Sequence, residues 1–265
     1  MKIIVPIKQV PESSNVKMDK ETGTVIRTGV DTVVNPLDLY ALEAALVLKE
    51  RYGGEAAAIS MGPPQAMRAL MEAAAMGCDG AFLLSDRQFG GADTWATSYT
   101  LAQGIRKIGG ADIIITGERA TDGDTAQVGP GIAAWLDLPV ASYVSKIISV
   151  QSGRIEVERL IEEGYQRVSL ALPCVLTVVK EAAVPRLPTL RGKIRSMELE
   201  IPVITAADPV FNPEYLGLKG SPTRVVKIDT PKLTRGGRIL RAEDDESLRT
   251  AVEELAVFLE QRGII

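Results

Sequence analysis

Residues 113–136 read IIITGERATDGDTAQVGPGIAAWL, from Ile113 to Leu136. A β-branched apolar run ends at Gly117, a loop rich in Gly, Asp and Thr follows, and an apolar stretch with helical spacing closes it. The order is strand, loop, helix start. A helix start exposes about four unpaired N–H groups and roughly half a positive charge, which suits a phosphate. The amides of Asp124, Thr125, Ala126 and Gln127 are the candidate donors, Gly123 allows close backbone approach, and the Thr125 hydroxyl can add a bond. Asp122 and Asp124 oppose an anion and must cap the helix, bind a ribose or hold a cation. Spacing alone leaves a capped turn without ligand open, because neither a Walker A nor a GxGxxG pattern occurs.

Outward from this stretch, strands and helices alternate from residue 1 to about 137. Lys2–Val10 reads as a buried strand, and Val16–Arg27 as a hairpin around Gly23. Asn35-Pro36 opens a helix as N-cap and first residue, ending at Gly53-Gly54. Glu55–Met61, Gly80–Leu84 and Asp112–Thr116 are strands; Gly62-Pro63-Pro64 and Asp93-Thr94 begin helices. Such alternation predicts a parallel sheet with helices on both faces. Ligands then bind at the carboxyl ends of the strands, near the point where strand order reverses. Four loops fall there: Pro6–Gln9, Asn35–Asp38, Ser60–Pro64 and Gly117–Gly129.

Beyond Pro139 the rhythm changes to consecutive strands at Ile147–Val150, Ile155–Leu160, Gln166–Leu172 and Val175–Val179, read as an antiparallel meander with a turn at Ser152-Gly153. A basic run, Arg186, Arg191, Lys193 and Arg195, leads into an irregular segment over 202–240. Asp244–Gln261 forms a final helix with Leu248, Val252, Leu255 and Leu259 on one face. The expected division is a nucleotide-binding domain over 1–190 and an arm with its helix over 191–265.

The chain has 265 residues, 46% hydrophobic and 24% charged, and a net charge of −4, against a general nucleic-acid binder. The two cysteines, Cys78 and Cys174, form no CxxC pair and read as buried small hydrophobes. There is no histidine, which removes Ser-His-Asp and Cys-His catalysis and any histidine metal site. No catalytic or metal-binding residue is expected; reactivity would come from a cofactor. No apolar window spans a membrane and no signal peptide is read at the N-terminus, so the expected location is cytoplasmic. Trp95 and Trp135 read as packing residues, and Glu162-Glu163 as surface.

VPIKQVP at Val5–Pro11, NPLDLYALEAAL at Asn35–Leu46, SMGPP at Ser60–Pro64, ERATDGDTAQVGP at Glu118–Pro130, LPCVLTVVKEAAVPRLPTL at Leu172–Leu190 and RGKIRSM at Arg191–Met197 occur in this order. Together they resemble the beta subunit of electron-transfer flavoproteins over nearly the whole chain. The resemblance implies a Rossmann-like domain of the adenine nucleotide alpha hydrolase-like type. It also implies a C-terminal arm around an alpha subunit that carries a redox-active FAD. The nucleotide contacts it implies are Pro6, Asn35, Pro36, Leu37, Asp38, Met61 and Gly62, with Gly117, Glu118, Arg119, Ala120, Thr121, Asp122, Gly123, Asp124, Thr125, Ala126, Gln127 and Val128. DGDTAQVGP and SPTRV, at Asp122–Pro130 and Ser221–Val225, resemble the electron-bifurcating group, in which FAD replaces a structural AMP. That group implies NADH as donor and ferredoxin or flavodoxin as low-potential acceptor. An acyl-CoA dehydrogenase or quinone oxidoreductase is reached through the alpha-subunit FAD. Val179–Leu190 matches the segment that contacts partner dehydrogenases, without the Asn, acid and Tyr of many relatives. A non-bifurcating AMP-binding subunit and a stand-alone nucleotide-binding module remain open at this point.

Overall fold

The computed structural model describes residues 1–12, 32–226, 237 and 239–265. In chain order the first half runs β1 (Lys2–Pro6), β2 (Gln9–Pro11), β3 (Thr32–Val34), α1 (Pro36–Tyr52), β4 (Glu55–Met61), α2 (Met67–Met76), β5 (Gly80–Leu84), α3 (Thr94–Lys107), β6 (Ile113–Gly117) and α4 (Val128–Leu136). It continues with β7 (Val140–Gln151), β8 (Arg154–Ile161), β9 (Gly164–Ala171), β10 (Cys174–Val178), α5 (Leu190–Glu198), β11 (Val203–Ile204), α6 (Gly217–Gly220) and α7 (Asp245–Gln261). The hairpin expected at Val16–Arg27 lies outside the described residues.

Nine strands form one sheet in the order β11-β5-β4-β1-β6-β10-β7-β8-β9. Pairing is parallel from β11 to β7 and antiparallel from β7 to β9. Alternate strand residues feed two cores, because side chains along a strand point to opposite faces. Ile3, Val5, Ile113 and Ile115 pack with Leu42 and Leu46 of α1 and Leu70 of α2. Ile4 and Ile114 pack with Leu101 and Ile105 of α3 and Ile132 of α4. The parallel sheet covered on both faces, with its antiparallel extension, is therefore the architecture observed.

Three details depart from the sequence reading. The expected strand Lys2–Val10 breaks after Pro6, and Gln9–Pro11 pairs with Thr32–Val34 as a separate ribbon. The expected four-strand meander holds only for β7, β8 and β9. The fourth strand, β10, returns to the parallel core between β6 and β7. Its burial explains this: CVLTV is buried at every position, as a strand covered on both faces must be.

Two compact units divide the chain, Met1–Val226 and Lys227–Ile265. The first includes α5 and β11. β11 extends the sheet edge beside β5, and the Arg195 guanidinium donates to Ala74 O (2.7 Å) and Cys78 O (2.9 Å) at the end of α2. The first compact unit thus runs to Val226. In the second unit, α7 begins with a reciprocal cap between Asp244 and Ser247, and Leu248, Val252, Leu255 and Phe258 are about half exposed. Both cysteines are free and buried, and burial pushes each thiol up to about 12. Among the described residues no helix is long and apolar enough to cross a membrane.

Candidate functional site

The chain winds β1, β4, β5 in one direction and then returns with β6 on the other side of β1, so strand order reverses between β1 and β6. Their ladder covers only Ile3–Ile113 and Ile4–Ile114, although β6 runs on to Gly117. Among the described residues nothing pairs them past that point, and such a switch point is where a doubly wound sheet has its crevice. Pro6 ends β1, Met61 ends β4 and Gly117 ends β6. Asn35-Pro36-Leu37-Asp38 starts α1, and residues 118–127 lead into α4. The Gly62 amide donates to Leu84 O at the end of β5 (3.0 Å). All four expected loops therefore gather at one end of the sheet.

The expectation that Asn35 caps α1 is overturned. Asn35 occupies the N-cap position, but its side chain makes no cap bond. Its Nδ2 donates to Asp38 Oδ1 (2.9 Å) and to Arg119 O (2.9 Å), while its Oδ1 accepts from the Thr121 amide (3.2 Å). Asp38 also accepts from the Lys8 amide (2.7 Å) and from the Gly117 amide. Gly117 has no room for a side chain, since a Cβ would lie 2.5 Å from Asp38 Oδ1 and 2.8 Å from the Leu37 carbonyl.

Burial pushes the Asp38 carboxyl up to about 7, against Asn35, the Lys8 amide and ammonium, and the Gly117 amide, which all pull it down. Between the ordinary carboxylate value of 3.8 and about 7 the native state holds a proton that the unfolded chain has released. This group's contribution to stability therefore falls as pH rises through that window, and is level above it. Urea unfolding across that range checks this: the falling limb should be present in the wild type and absent in Asp38→Asn.

The helix begins at Val128, at the end of the expected loop. Asp124 and Ala126 adopt positive φ (52° and 54°), which breaks the helical run. The Asp124 amide is used by Ala120 O (2.8 Å), so this expected phosphate donor is already engaged. Among the described residues, the amides of Thr125, Ala126 and Gln127 meet no acceptor. Alternating φ signs in such a loop form a concave nest of N–H groups suited to an anion.

The two aspartates are neutralised by cations. Lys8 Nζ pairs with Asp122 Oδ1 at 2.6 Å, and Arg119 Nε lies 3.2 Å from Asp124 Oδ1 and 3.3 Å from Glu118 Oε1. Thr94 Oγ1 bonds Gln127 Oε1 (2.9 Å), tying α3 to the loop. Lys8 lies within an expected loop, yet nothing local marked it or Thr94 as partners of the site. Among the described residues, nothing lies within 4 Å of a Cβ built at Gly123. Free amides, an adjacent helix start and aspartates already paired make the loop fit a phosphate-bearing nucleotide. Trp95 and Trp135 meet at a tilt with ring centroids 4.5 Å apart, and Trp135 also meets Tyr99 and Tyr215 at 4.9 and 5.6 Å, a packing cluster as expected.

The fold defines the class: an open, doubly wound α/β protein, a fold in which ligands sit at the switch point. Residues 22–209 match the electron transfer flavoprotein domain. The electron transfer flavoprotein subunit beta of Thermoanaerobacterium thermosaccharolyticum is 45% identical over 256 residues, covering 96% of this chain and 98% of that protein. The caffeyl-CoA reductase-Etf complex subunit CarD of Acetobacterium woodii is 47% identical over 241 residues, covering 91% and 92%. Protein FixA of Azotobacter vinelandii is 41% identical over 268 residues, covering 98% and 95%. The chain belongs to the electron transfer flavoprotein family, as a beta subunit.

Proposed function

We propose that this chain pairs with an alpha subunit in the cytoplasm and holds FAD in the β1/β6 crevice for electron bifurcation from NADH. The low-potential acceptor is a ferredoxin or flavodoxin. The other electron passes through the alpha-subunit FAD to an acyl-CoA dehydrogenase or quinone oxidoreductase, which Val179–Leu190 contacts. The observation that carries the reading is the nest of free amides at the switch point, in a chain 47% identical to a subunit named for a reductase-Etf complex. FAD, when bound, accepts a hydride and passes electrons on singly.

The protein's own part is binding and orientation. Free amides of Thr125, Ala126 and Gln127, with the start of α4, receive the diphosphate; Gly123 admits it closely; Lys8 pairs with Asp122, and Arg119 is shared by Glu118 and Asp124. Pro6, Met61, Gly62 and the backbone of Pro36 and Leu37 border the crevice. No side chain needs to move a proton, consistent with a chain without histidine. The half-exposed apolar residues of α7 suit packing against the alpha subunit.

Counting nucleotides in the purified heterodimer tests this. Two FAD per dimer are expected, with reduction of both by NADH in the visible spectrum. One FAD and one AMP would replace bifurcation by the simple carrier role, and a stable monomer without nucleotide would overturn both.

A further inference from the structure

We infer that Asn35 and Asp38 act as a latch that positions the nucleotide loop, and that the Asn35 carboxamide touches the loop backbone rather than the ligand. Asn35 is fully buried and Asp38 is 6% exposed. Both Nδ2 hydrogens of Asn35 are used, one by Asp38 and one by Arg119 O, and its Oδ1 receives the Thr121 amide. Little capacity is left for a ligand. Two of the three bonds join the start of α1 to residues 84 and 86 positions away, where the loop leaves β6. Asp38 extends the latch to both crevice walls, through the Lys8 amide beyond β1 and the Gly117 amide at the end of β6. One buried carboxamide–carboxylate pair thereby fixes the entry of the loop whose free amides lie at Thr125–Gln127. The inference rests on the reading of the crevice as a nucleotide site.

Charge at this node is one-sided enough to give a specific test. Lys8 faces it from the β1–β2 link, its ammonium engaged by Asp122. From the loop come Glu118 and Asp124, which share the one cation Arg119. β6 contributes only backbone. Asn35→Asp keeps the shape but sets a second carboxylate against Asp38 Oδ1 and Arg119 O, all acceptors. Two carboxylates this close share a proton in acid, and a shared proton restores a donor.

The experiment uses the nucleotide-depleted complex with its alpha subunit and equilibrium dialysis of labelled AMP. At about pH 8, Asn35→Asp is expected to weaken AMP binding more than about tenfold, and at about pH 5.5 the gap to wild type closes. Asn35→Ala removes the same bonds without adding charge, so its loss is expected at both pH values. Wild-type binding by either variant at about pH 8, or a loss in Asn35→Asp that acid does not relieve, would overturn the latch. Failure of the wild-type complex to bind any adenine nucleotide would instead overturn the nucleotide reading itself.

Discussion

Gly117→Ala is expected to lower the unfolding free energy by about 1–3 kcal/mol and to weaken nucleotide binding more than about tenfold. The reason is space, not backbone freedom, because Gly117 does not adopt a positive φ. The added methyl would sit 2.5 Å from Asp38 Oδ1 and 2.8 Å from both Leu37 C and Leu37 O. The carboxylate cannot simply turn aside, since it receives bonds from Asn35, Lys8 and the Gly117 amide itself. Backbone at the start of α1 cannot yield cheaply either. The strain is relieved only by moving α1 away from β6 or by breaking the Asn35–Asp38 pair, and both displace the loop. Gly123→Ala is the matching control. Among the described residues a Cβ there meets nothing within 4 Å, and its φ is not positive, so stability should stay within about 0.5 kcal/mol. If the loop receives a phosphate at close approach, Gly123→Ala still weakens binding. Urea unfolding and nucleotide dialysis on the two variants read stability and binding separately. Equal stability loss in both would contradict the packing argument.

Much of this arrangement was legible in the sequence, and the pattern of what was not is physical. Helix α1 ends where its punctuation says, with Pro36 first and Gly53 beyond Tyr52. Asp93 caps α3 through the Ala96 amide (3.0 Å), as its position before the helix suggests. The turn at Ser152-Gly153 has positive φ at both residues (53° and 72°), the hairpin geometry that its residues favour. These are local choices made by the chain near each residue. The role of Asn35 was not legible, because an Asn before Pro reads as a cap whatever lies 84 residues on. The pairing of Asp122 with Lys8, 114 residues apart, was hidden in the same way. The left-handed conformation of Ala126 was not legible, because alanine does not favour it and the surrounding fold imposes it. For β10, a signal was present. Its unbroken apolar run differs from the alternating burial of β8, and the first pattern belongs to a core strand.

The other large effect is expected at Arg186, which the sequence placed in a basic run open to several readings. Its guanidinium Nε and Nη2 reach Glu43 Oε2 and Oε1 at 2.8 Å each, and its amide donates to Glu43 Oε2 at 3.0 Å. Glu50 completes the clamp, and the arginine beside it holds its carboxyl below the usual range. Glu43 is only 5% exposed, so removing Arg186 would leave a buried carboxylate without its cation. Arg186→Ala is therefore expected to cost about 3 kcal/mol. Glu50→Ala, at an exposed partner, should cost about 1 kcal/mol or less. The decisive measurement is a double-mutant cycle by urea unfolding. In a Glu43→Gln background no buried charge is left stranded, so Arg186→Ala should then cost markedly less. Additive costs would mean that Glu43 is solvated without Arg186 and that the clamp contributes little. The clamp also sets local geometry. Val184 and Leu187 flank Arg186 and stand 88% and 86% exposed, on a segment with no helix or strand to hold it. A side chain bound at both ends to α1 is what directs these two apolar residues outward. Hydrogen exchange in Arg186→Ala should accordingly rise across 183–189 while the amides of β1, β4 and β6 keep their protection.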